Sequence, residues 1–127
     1  MKANSYKMRV LDTYALVEIR NQNPKFAHLL NKPFVITDPT IAELYIVLMK
    51  EVGEEEARYW YKRFSSYCKP IDKAVMIKGL KFREMNKKEN ISIFDAFGYI
   101  FSRENNYVFV TGDKAFQHRE GVEFIKK

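Results

Sequence analysis

Met8-Arg9-Val10-Leu11-Asp12-Thr13 is a short apolar run that ends directly in an aspartate and a threonine. The run reads as a β-strand over 8–11, and the acid therefore falls at the strand's C-terminal tip. Three further runs have the same character, 33–37, 107–111 and 122–125, and the first three of the four lead into an aspartate: Asp12, Asp38 and Asp113. Helical patterns fill the gaps. Residues 13–31 carry one or two short helices broken near Pro24, and Pro39 suits the first turn of a helix over 39–52. A third helix, 54–67, opens on Glu54-Glu55-Glu56, which complements a helix N-terminus. A basic helix, 70–88, is expected to begin near Pro70, and another, 92–105, to follow Ser92 as its cap. Strands separated by helices give an α/β class with a mainly parallel sheet, whose strand C-termini share one edge. Ligands of such sheets bind at that edge.

The chain has 127 residues, 46% hydrophobic and 15% aromatic with few Gly or Pro, a composition that packs a core. No repeat, low-complexity tract or linker divides it, so a single domain is expected over 1–127, with 1–6 as a polar leader. Lys and Arg number 22 against 16 Asp and Glu, a net +6 that suits an anionic partner without identifying it. The one cysteine, Cys68, excludes an internal disulfide and a cysteine-rich zinc site and points to a reducing compartment, the cytoplasm. No apolar run approaches the roughly 20 residues of a membrane span, and no apolar signal core follows Lys2 and Lys7.

Four carboxylates stand out. Asp12 ends the first strand, where it can also cap the helix that starts at Thr13. Glu43 lies early in the second helix beside the stripe Ile41, Leu44, Val47 and Leu48, or is simply favoured there by the helix dipole. Asp95 sits among Ile93, Phe94, Ala96, Phe97, Ile100 and Phe101, where a buried carboxylate needs a partner; alternatively it closes a capping box with Ser92. Asp113 follows Val110-Thr111-Gly112, as a turn residue or a ligand. The topology gathers all four at one sheet edge. Crowded carboxylates repel unless a cation neutralises them, and oxygen donors favour Mg²⁺ or Mn²⁺. Such ions lower the pKa of an attacking water and neutralise a phosphodiester, so hydrolysis of that bond is the natural chemistry.

The order and setting of these acids resemble the PIN-domain family, above all its small VapC-like toxins. The segments that carry the likeness are VLDTYAL around Asp12, TDPTIAELY around Glu43, ISIFDAFGYIFS around Asp95 and YVFVTGDKAF around Asp113. The resemblance implies a three-layer α/β/α sandwich, Mg²⁺- or Mn²⁺-dependent endoribonuclease activity on RNA, a homodimer and a VapB-like antitoxin partner. By position, Asp12, Glu43 and Asp95 match the family's three best-defined acids and Asp113 the fourth. Thr13 and Thr111 match hydroxyl positions that support the metal shell. Tyr14 departs from the small residue common there and is expected to narrow the site, and Gly98 to allow close helix packing.

Other readings compete. A haloacid-dehalogenase-type phosphatase wants a second Asp where Tyr14 stands, and no Gly-rich phosphate loop is present. His28 and His118 are isolated. The basic run containing Lys73, Lys78, Lys81, Arg83, Lys87 and Lys88 is a solvated face or a track for phosphates, with Lys114 the better-placed contact. The aromatic surplus of Tyr59, Tyr61 and Tyr67 is either surface or the wall of a partner-helix groove. A stand-alone RNA-processing nuclease and a non-catalytic RNA- or protein-binding module remain as alternatives to a toxin.

Overall fold

The computed structural model describes residues 7–127, so the leader expected over 1–6 lies outside the described residues. Strands β1 (Arg9–Leu11), β2 (Phe34–Thr37), β3 (Cys68–Lys69), β4 (Val108–Thr111) and β5 (Val122–Phe124) form one sheet in the order β3-β2-β1-β4-β5. Every pairing is parallel. Five α-helices, α1 (Thr13–Arg20), α2 (Asp38–Val52), α3 (Glu54–Phe64), α4 (Lys73–Met85) and α5 (Ile93–Glu104), cover the sheet.

Strand alternation sorts the core into two halves. On one face Leu11, Phe34, Ile36 and Val110 pack with Leu16 of α1, Ile41, Leu44 and Leu48 of α2, and Ala57 and Phe64 of α3. On the other, Val10, Val35 and Phe109 pack with Ala96 and Tyr99 of α5, with Phe116, and with Phe82 of α4 at the margin. Both faces are apolar, as expected of a parallel sheet whose crossover helices bury both sides. At about 1.5–3 kcal/mol for each fully buried large side chain, these two clusters are the main favourable contribution to folding. The result is a three-layer α/β/α sandwich. Among the described residues, no helix is long and apolar enough to cross a membrane.

Several expected boundaries move, for local reasons. The basic helix starts at Lys73, not Pro70, because Asp72 Oδ1 accepts from the Val75 amide (2.9 Å) and sets the first turn. It ends at Met85; Lys87–Glu89 is a separate 3₁₀ turn, followed by Asn90 in the left-handed region at φ 56°. Pro24–Asn31 is 3₁₀ and capped by Asn23, whose side chain accepts from the Lys25 amide. The third helix gives way to a 3₁₀ turn at Ser65–Tyr67. The edge strand β3 was not anticipated; two residues carry no periodicity, and only the pairing of Cys68 with Ile36 and of Lys69 with Thr37 reveals it.

From β1 the chain builds outward to β2 and β3, then returns to lay β4 on the other side of β1 and β5 beyond it. Between β1 and β4 the direction of winding reverses, and the loops leaving these two strands splay apart to open a crevice. Gly98 in α5 is what lets that helix lie close over β4, since a Cβ there would come within 2.8 Å of the Phe109 ring, itself only 1% exposed. Gly98→Ala should therefore destabilise the fold by about 1–3 kcal/mol by overpacking, even though alanine raises helix propensity by about 1 kcal/mol. Denaturant unfolding measures it, and a stabilised variant would show that the helix has room to spare.

Candidate active site

Asp12 leaves β1 at the crevice and is only 2% exposed. Its amide donates to the Val110 carbonyl of β4 (3.2 Å), which prolongs the β1–β4 pairing by one residue. Its carboxyl accepts from the Ala15 amide (2.8 Å), so the capping role and the site position belong to the same side chain. Thr111, fully buried at the end of β4, accepts from the Asp113 amide (3.1 Å) and donates its own hydroxyl proton to Asp12. One threonine thus ties the two acids together. Asp113 also caps, accepting from the Ala115 amide (3.0 Å) at the 3₁₀ turn Lys114–Phe116.

Glu43 comes from the second turn of α2, and the Thr13 hydroxyl donates to its Oε1, joining the starts of α1 and α2. Asp95 lies in the first turn of α5, where Ser92 Oγ accepts from its amide (3.0 Å) as helix cap. All four acids, with Thr13, Tyr14, Ser92, Gly112, Lys114 and Lys126, line one open cavity of about 550 Å³.

The electrostatics follow from the placement. Burial pushes the Asp12 carboxyl up to about 7, and the charges of Glu43 and Asp113 add to this, against hydrogen bonds from Thr111 and Ala15 that pull it down. Burial also pushes Asp95 up to about 8, helped by repulsion from Asp12, Asp113 and Glu43 and opposed by Ser92. Each of these two acids is therefore destabilised in its charged form by burial and by its neighbours. Perturbed carboxyls of this kind in a cleft mark a candidate site.

Among the described residues, no three His, Cys, Asp or Glu side chains are grouped as ligands of one ion. The acids ring a space rather than a point. Mg²⁺, which keeps several waters and takes one or two carboxylates directly, suits an oxygen-lined cavity of this type better than a closed cage does.

The remaining candidates fall elsewhere. His28 pairs with Glu123 (3.0 Å) away from the cavity, and His118 is exposed and does not line it. The basic run is a solvated face: Lys78 pairs with Glu104, Lys87 with Glu84, and Arg83 donates to the Ile91 carbonyl. Tyr59, Tyr61 and Tyr67 are all exposed, and Tyr67 also stacks on Phe34 at 4.3 Å. Tyr14 does line the cavity, and a Cβ on Gly112 would fall within 2.3 Å of its ring. Sequence reasoning missed Lys126, which has no motif around it and reaches the cavity only because β5 runs alongside β4.

Comparison with known proteins places this geometry. The family model "PIN domain" matches residues 9–122. No curated protein sequence matches the chain. Among solved structures, a toxin–antitoxin complex from Klebsiella pneumoniae superposes with a TM-score of 0.72 at 17% identity, over 94% of this chain and 99% of that one. DNA-bound VapBC from Salmonella typhimurium gives 0.71 at 18% identity, over 94% and 98%. Mycobacterium tuberculosis VapC20, a toxin that cleaves the sarcin-ricin loop, gives 0.69 at 14% identity, over 78% and 84%. At these identities the likeness is one of fold, and it agrees with the family match over nearly the whole of the described chain. With strand-end acids at the reversal of its parallel sheet, the chain belongs to the PIN domain family.

Proposed function

We propose that this chain is a Mg²⁺- or Mn²⁺-dependent endoribonuclease that hydrolyses RNA phosphodiester bonds, acting as the toxin of a VapBC-type pair. The observation that carries the reading is the convergence of Asp12, Glu43, Asp95 and Asp113, from four separate elements, on one open cavity, with two of them held in a state that a cation would relieve. A bound divalent cation would supply Lewis-acid chemistry, offsetting the charge of the phosphodiester and acidifying water. Asp12, Glu43, Asp95 and Asp113, which all line the cavity, are the acids that would hold it. Thr13 orients Glu43, Thr111 orients Asp12 and Asp113, and Lys114 on the rim offers an ammonium to a substrate phosphate.

The complexes of similar fold support an antitoxin partner. A shallow groove lined by Ile19, Arg20, Leu30, Trp60 and Phe64 offers an apolar floor for an amphipathic helix. Met76, Ile77 and Leu80 project from α4 as a second apolar face, suited to a second copy of the chain.

Purified protein mixed with RNA should cleave it with Mn²⁺ and not with EDTA. Asp12→Asn should lower the rate by more than the roughly 10–100-fold typical of a lost outer-shell contact, and Thr13→Val by an amount within that range. Full activity in Asp12→Asn, with contaminating nuclease excluded, would remove the catalytic assignment.

Stability separates the two roles open to Asp95. Because its folded pKa is raised, the folded chain binds a proton that the unfolded chain releases near pH 4. The resulting cost is absent below about pH 4, grows as pH rises towards 8, and is complete above that. Metal-free Asp95→Asn should thus be more stable than wild type by on the order of 1 kcal/mol at pH 7, with a gain that widens from pH 5 to 9. Mn²⁺ should raise its Tm much less than that of wild type. A destabilised apo variant with a wild-type metal response would make Asp95 a capping residue only.

A further inference from the structure

Lys126 follows β5 and lines the acid cavity, yet its ammonium is not drawn onto the carboxylates. It donates to the Gly112 carbonyl (3.3 Å) and stands 5.6 Å from the centroid of the Tyr14 ring. Among the described residues, no carboxylate forms an ion pair with it, whereas the adjacent Lys127 is paired with the buried Glu18 (3.6 Å).

The backbone that carries Lys126 is held from several directions. The Ile125 amide donates to the Thr111 carbonyl (3.0 Å), the Lys127 amide to the Tyr14 hydroxyl (3.0 Å), and Lys25 Nζ to the Lys126 carbonyl (3.2 Å). These bonds fix where the exposed Lys126 side chain leaves the backbone, and its own bond to Gly112 turns the ammonium towards the cavity, so less freedom is lost when an anion is held there. The Gly112 carbonyl takes one of its three protons and leaves two to be directed at an anion in the cavity.

We infer that Lys126 is a substrate-binding residue, gripping a phosphate adjacent to the scissile one on a single RNA strand; this rests on the ribonuclease reading above. A strand crossing an acidic cavity is repelled wherever the cavity's charge is not neutralised, so cations on the rim must hold the phosphates on either side of the reacting one. Lys126 stands against Gly112 and Tyr14, and Lys114, two residues after Gly112, lines the same cavity, so the two ammonium groups are available to successive phosphates of one strand. Tyr14 acts as a positioning residue that anchors the segment through its hydroxyl and ring.

Steady-state cleavage of a labelled single-stranded RNA by the intact protein, over a KCl series with Mn²⁺, tests this. Lys126→Ala should raise KM about tenfold with kcat within about twofold, to the same extent across RNA sequences. Its log(kcat/KM) against log[salt] should be shallower by about 0.7, the expectation for one lost phosphate contact on a single strand. Lys126→Arg should restore both, and Lys50→Ala, on the exposed side of α2, should change neither. Unaltered KM and salt slope in Lys126→Ala, with wild type active, would overturn the inference and leave the nuclease reading standing. A lowered kcat and Tm without a change in slope would make Lys126 a structural strap and also overturn it. Wild type unable to cleave RNA with Mn²⁺ would remove the nuclease reading and the inference together.

Discussion

A carboxylate buried between two parallel strands is the constraint around which this molecule is arranged. Asp12 cannot sit unsatisfied in that position, and each of its contacts fixes a different part of the fold. Its amide extends the pairing to β4, its side chain starts α1, and its link through Thr111 sets the exit of β4 at Asp113. Even so, its carboxyl is held at about 7, so these hydrogen bonds only partly compensate for burial. The structure retains an electrostatic cost at the place where chemistry is expected, while the apolar clusters on both faces of the sheet hold the fold together.

The parts legible in the sequence were those with their own local signal. Four of five strands, the helix starting at Thr13 and the helix capped by Ser92 follow from periodicity and capping chemistry, because those preferences act within a few residues. The grouping of the four acids followed from topology, since strand tips and crossover helix starts of a parallel sheet must share an edge. What could not be read depended on distant partners. β3 exists through its pairing with β2, and Lys126 enters the cavity through register across β4. The start of α4 was misplaced because Pro70 and Asp72 are both plausible openers, and the side-chain cap decided between them.

For single residues, a place in a helix cap and a place on the cavity do not exclude one another. Asp12 and Asp113 are caps and cavity acids at once, and Asp95 sits in a capped first turn while facing the other three acids. A helix N-terminus concentrates unpaired amides and favours negative charge, so it is an economical place to hold a carboxylate rigidly. Glu43, beyond the first turn, instead depends on the Thr13 hydroxyl for its orientation.

The central position of β1 also bears on how the chain acquires its site during synthesis. Among the described residues β1 precedes the other strands, but its partner β4 lies about a hundred residues later, and Asp113 later still. Parallel pairings of such long sequence separation form slowly and late. On the ribosome, the segment bearing Asp12 therefore emerges with one edge unpaired and Thr111 not yet present. The four acids can be assembled only after translation has passed Asp113. A site built this way stays incomplete while the segment from Asp12 to Asp113 is being made, so its cavity cannot act on anything near the ribosome until that whole segment has emerged.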